Sequence, residues 1–71
     1  MACINADGTL SDSAKLLLRL LEGPVTAEEI AARLGRPMFW IRASLRELVG
    51  ADLVRAESAH YVITERGREK L

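Results

Sequence analysis

Four arginines, Arg33, Arg36, Arg42 and Arg46, fall within residues 30 to 46, a stretch without a single acid, and Met38, Phe39 and Trp40 stand among them. A guanidinium is a planar fork of fixed donors that suits phosphate oxygens and guanine edges alike. An apolar side chain beside such a fork can touch a thymine methyl, or it can anchor a protein partner. Little else in the chain offers chemistry. Cys3 is the single cysteine and His60 the single histidine, so neither a disulfide framework nor a four-ligand zinc site can form within one copy, and no bound metal is expected. No nucleophile, base and orienting group fall near one another in any predicted element, and no phosphate-binding loop is present. The chain is therefore expected not to be an enzyme and to need no cofactor.

The 71 residues carry 10 basic and 10 acidic side chains. A zero sum argues against a nucleic-acid partner until the distribution is read. Residues 1 to 29 hold two basic and five acidic groups, residues 47 to 71 hold four and five, and residues 30 to 46 hold the four arginines alone. The positive block thus coincides with the aromatic run. A hydrophobic content of 49% with 28% charged residues is globular, and the length sits near the lower limit for a chain that buries its own core. The start, MACINADGTL, has no basic region or long apolar run of a signal peptide, and no segment reaches the roughly 18 apolar residues of a membrane span. A cytoplasmic location and no membrane partner are expected.

The elements that must position these side chains follow from spacing. Ser11 and Ser13 are helix-start residues, and Ala14, Leu17, Leu18 and Leu21 recur at helical spacing until Gly23-Pro24, which predicts a first helix over about residues 12 to 22. Thr26-Ala27-Glu28-Glu29 fits a capping box for a second helix ending near Leu34, where Gly35 can close it in the left-handed conformation. Pro37 opens a third helix with an apolar seam of Ile41, Ser44, Leu45 and Leu48 up to about Gly50. Leu53 to Glu57 and Tyr61 to Thr64 read as two strands joined at Ser58-Ala59-His60, and Thr64 can cap a last helical turn. Residues 1 to 10 are read as an arm or short strand and residues 11 to 71 as the domain. Leu17, Leu21, Ile30, Leu34, Ile41, Leu45, Leu48, Leu53 and Val62 are expected to form one core.

This order now carries a resemblance over roughly residues 11 to 67. TAEEIAARLGRPMFWIRASLRELVGADLVRAE followed by YVITERG resembles the winged helix-turn-helix of bacterial and archaeal regulators such as the MarR and ArsR families. Ala31 to Gly35 match one family motif, Ile41, Leu45, Leu48, Leu53 and Val54 a second, and Tyr61, Ile63, Thr64 and Gly67 a third. The resemblance implies an α+β, mainly α fold, with a three-helix core and a C-terminal two-stranded hairpin, the wing. It also implies that the second helix supports while the third reads the major groove of double-stranded DNA. Three departures stand out. Arg36 occupies a position usually aliphatic, Asp52 replaces a common glycine, and the third helix starts without Ser or Thr.

At about 100° per residue, with Ile41 inward, Phe39, Arg42, Ala43 and Arg46 turn away from the core while Met38 and Trp40 lie on its flanks. Phe39, Arg42, Ala43 and Arg46 are therefore expected to read bases in a small transcriptional regulator, with Arg33, Arg36 and Arg55 on the phosphate backbone. The competing reading is a winged helix that binds protein and not DNA, for which exposed Met, Phe and Trp beside arginine is also a suitable surface. Leu16 and Leu20 widen the first helix beyond its seam and point to a homodimer, unless the arm folds back over them with Ile4. No small-molecule domain is evident.

Overall fold

The computed structural model describes residues 3–71 and shows seven elements in the order α1 (Asp12–Arg19), β1 (Val25–Thr26), α2 (Ala27–Leu34), α3 (Met38–Gly50), β2 (Val54–Glu57), β3 (His60–Ile63) and α4 (Glu65–Glu69). Residues 1 and 2 of the expected arm lie outside the described residues. Three helices enclose the apolar core and an antiparallel sheet in the order β1-β3-β2 closes it on one side. This is the winged helix-turn-helix read from the sequence, and no helix among the described residues is long and apolar enough to cross a membrane.

Helix boundaries follow local chemistry. Ser11 caps α1 by accepting from the Ala14 N–H. The helix ends at Arg19, earlier than the expected residue 22, because the Leu20 and Leu21 amides bond three residues back to Leu17 and Leu18 and tighten the chain into a turn. Thr26 and Glu29 form the complete capping box of α2. The Glu29 carboxyl is held below the usual carboxylate range because the Thr26 N–H and hydroxyl both donate to it. Gly35 closes α2 at φ 64°, a region open to glycine without a Cβ penalty. Pro37 then stands at the N-cap of α3 with no side-chain cap.

The sheet differs from the expectation in three ways. Its third strand, β1, pairs Val25 with Tyr61 and Thr26 with His60. The hairpin turn is the two residues Ser58-Ala59, since His60 is already paired with Glu57, and Ser58 carries the left-handed φ of 55° that so tight a turn needs. Third, Val62 is not a core residue. Val54 pairs with Ile63 and Arg55 with Val62, so Ile63 shares the buried face while Val62 shares the outer face with Arg55. Leu34 is half-buried and packs against the core from its edge, and the other seven residues expected inside are buried. Asp52 adopts φ 64° where the resemblance has glycine, a conformation that aspartate tolerates better than most residues.

The N-terminal arm doubles back on itself through an Ile4–Leu10 bridge, and the Ser11 N–H donates to the Cys3 carbonyl at 2.9 Å. It is also tied to α3, where the Glu47 carboxylate accepts from the Cys3 and Ile4 amides at 3.1 and 3.2 Å. Ile4 and Leu20 both pack on the core, whereas Leu16 stays 52% exposed.

Candidate functional site

Helix α3 buries Trp40, Ile41, Ser44, Leu45 and Leu48. The opposite side of the same helix is a stripe of exposed residues, Phe39, Arg42, Ala43 and Arg46, recurring at three- and four-residue spacing. Phe39 is 75% exposed, the outward position expected for it, while Trp40 is only 4% exposed and Met38 is half-buried. The aromatic run therefore divides: Trp40 is core, Met38 is edge, and Phe39 is surface. A single helix turn separates these roles because successive residues rotate by about 100°.

Arg33 leaves the last turn of α2 and Arg36 the loop after it, and both are exposed. Arg36 lies over Trp40 with its guanidinium carbon 4.9 Å from the ring centre. This accounts for a charged residue where the resemblance has an aliphatic one, since the guanidinium plane covers the indole as an apolar side chain would and adds about 0.5–1 kcal/mol of cation–π attraction. Among the described residues the buried Trp40 indole N–H has no hydrogen-bond partner, which costs about 1–3 kcal/mol.

Among the described residues, Arg33, Arg36, Arg42 and Arg46 enter no salt bridge. Arg55 differs. It lies on the outer face of the wing, 3.3 Å from the Glu57 carboxylate, away from the α3 stripe. The structure thus brings Phe39, Arg42, Ala43 and Arg46 onto one surface, places Arg33 and Arg36 at the turn that leads into it, and leaves Arg55 apart.

Sequence reasoning missed the floor beside this stripe. A cavity of about 290 Å3 opens between α3 and the wing, lined by Arg42, Arg46, Val49, Ala56 and Tyr61. Ala56 and Tyr61 are paired across β2 and β3 on the same face as buried Val54 and Ile63. Strand alternation holds the signal for them, because residues two positions beyond the buried pair must share its face.

No protein-family model matches this chain, and no curated protein matches it. Similar solved structures include the following two. One is CalO1, a methyltransferase in calicheamicin biosynthesis in its SAH-bound form, at 31% identity and a TM-score of 0.65, over 78% of this chain and 16% of that one. The other is IdeR of T. acidophilum, at 22% identity and a TM-score of 0.66, over 87% of this chain and 32% of that one. The chain spans less than a third of the length of either structure, and the likeness to IdeR is one of fold.

Proposed function

We propose that this winged helix binds double-stranded DNA sequence-specifically, as a small cytoplasmic transcriptional regulator and not as an enzyme, with α3 in the major groove. The observation that carries this reading is the outer stripe of α3, where exposed Phe39, Arg42 and Ala43 offer an apolar contact and a guanidinium fork and where no carboxylate neutralises the arginines among the described residues. Arg33 and Arg36, at the turn before α3, would meet the phosphate backbone. Arg55 could join them only by giving up its contact with Glu57.

Base and backbone roles separate by experiment. Arg42→Ala should lose roughly 1–3 kcal/mol of discrimination at one base step, whereas Arg33→Ala should weaken all sequences alike. Titration of both variants against a set of single-step duplex substitutions checks this, and identical behaviour would show that α3 reads no bases.

A second reading, a protein-binding winged helix, draws on the 75% exposure of Phe39, an aromatic anchor of the kind found at protein hot spots. Two copies on half-sites about one helical turn apart would give the DNA reading more specificity than one copy holds. With Leu20 on the core, the proposed homodimer strip narrows to Leu16. Sedimentation at micromolar concentration should then show a dimer that Leu16→Glu dissociates, and a parent running throughout as a 7.8 kDa species would remove it.

A further inference from the structure

We propose that Trp40 is a positioning residue for DNA binding, its indole holding the Arg36 guanidinium in place to meet a backbone phosphate at the turn before α3. This rests on the DNA reading above and gives a part in it to a buried residue that does not itself touch the duplex.

Arg36 is restrained along its whole length. Its N–H donates to the Ala31 carbonyl at 3.3 Å, which ties it to the end of α2. Pro37 follows, and a proline bars the residue before it from helical backbone. The guanidinium carbon lies over the Trp40 ring, 4.9 Å from its centre, so the far end of the side chain is held as well as the near end. Arg33, at the same turn, has no such ring among the described residues.

The stack leaves the chemistry of Arg36 open. A guanidinium meets a ring with its flat face and donates from its edge, so the indole can hold it without using its N–H groups. Arg36 is exposed and enters no salt bridge among the described residues, so no carboxylate competes for those donors. A long side chain loses rotamer freedom when a phosphate fixes it, and one already fixed loses less. The indole thus raises affinity for every sequence alike, because a phosphate carries no base identity.

The identity of residue 40 points the same way. Trp40 is 4% exposed, and among the described residues its indole N–H has no partner. A phenylalanine or leucine would occupy this place without stranding a donor. What the indole has over both is the ring face that attracts a cation most strongly.

Two measurements test the assignment. Trp40 is the single tryptophan, so its fluorescence reports the stack in the free protein. Arg36→Ala should uncover the ring, shift its emission to the red and make it more quenchable by acrylamide, whereas Arg33→Ala should leave both at the parent's values. The second measurement is an anisotropy titration of the full chain on duplex DNA at several salt concentrations. Arg36→Lys keeps the charge and hence the salt slope, but an ammonium has no face and edge to divide between ring and phosphate. It should lose roughly two- to fivefold more affinity than Arg33→Lys, on every sequence, the factor an exposed cation–π contact supplies. In a Trp40→Leu background that excess should vanish. The quenching comparison and the two lysine variants leave the core untouched, so they decide the matter even where Trp40→Leu does not fold. Unchanged quenching in Arg36→Ala, an Arg36→Lys loss no larger than that of Arg33→Lys, or an excess that persists in Trp40→Leu would overturn the assignment and leave the DNA reading standing. A parent that binds no duplex at low salt would remove that reading, and the role of Trp40 in it, whatever the quenching shows.

Discussion

Leu45→Ala is expected to destabilise the domain by about 2–5 kcal/mol, the range for truncating a buried leucine and leaving its cavity behind. Leu45 is 1% exposed, on the seam of α3 that faces α2 and β2. Natural domains hold roughly 0.05–0.15 kcal/mol per residue, so a chain of 71 residues has little margin over that loss. Most of the variant should be unfolded or should melt far below the parent. Replacing an exposed neighbour on the same helix, Ala43→Ser, should stay within about 0.5 kcal/mol of the parent. Thermal melts of the two variants check the phase of α3. An unchanged melting temperature in Leu45→Ala would invert that phase and with it every outward residue assigned to DNA.

Gly67→Ala should be the second large effect, although alanine is the better helix former. A Cβ at Gly67 would collide with the backbone carbonyl oxygen of Leu53 and lie 2.7 Å from Ile63 Cγ1. Relief by rotamer change is closed at the carbonyl, because that atom belongs to the main chain. It also accepts from the Thr64 N–H at 3.0 Å, and the Thr64 hydroxyl donates to the Asp52 carbonyl at 2.7 Å, so swinging α4 aside would break the bonds that seat it. Helix propensity favours alanine by about 1 kcal/mol. Overpacking costs about 1–3 kcal/mol, occasionally more, and here it falls on backbone, so the net result should be a loss of about 2 kcal/mol. Denaturant unfolding measures it. A variant as stable as the parent would show that α4 is not held against Leu53.

The fate of Gly67 illustrates what the sequence makes legible. It is visible beforehand as one letter of a family motif, and the structure supplies the cause, the approach of α4 to the Leu53 carbonyl. Helix α2 and the start of α3 are readable outright because their signals are local: the Thr26–Glu29 box, Gly35 at positive φ, and Pro37 at the N-cap. Phe39 is readable because rotation per residue fixes its direction once Ile41 is placed inward. The features that escape depend on partners distant in the chain. Strand β1 has two residues, too few for any period, and exists only because β3 pairs with it. Val62 and Ile63 are adjacent β-branched residues, and only the register with β2 decides which one enters the core. The Glu47 bonds to the Cys3 and Ile4 amides span more than forty residues, and nothing local to α3 announces them.

The candidate site divides along the same line. The outward stripe of α3 is a property of one helix and is legible from its sequence. The cleft that Arg42 and Arg46 share with Ala56 and Tyr61 needs the wing folded back beside that helix, and Arg55 shows the converse. Its charge suggests a phosphate contact, but strand alternation sends it to the far face, where Glu57 meets it.

The most direct test of DNA binding is a titration of the unmodified chain with mixed-sequence duplex DNA at a series of salt concentrations. Three or four neutralised phosphates should make log K fall linearly with log salt at a slope of about −3 to −4 per protomer. On mixed-sequence duplex, where no preferred bases engage Arg42 and Arg46, these two arginines can turn to phosphates and with Arg33 and Arg36 supply that many contacts. Tight binding at low salt that weakens along such a line is the result expected. No detectable binding at the lowest salt would contradict the account and leave the exposed face of α3 to a protein partner.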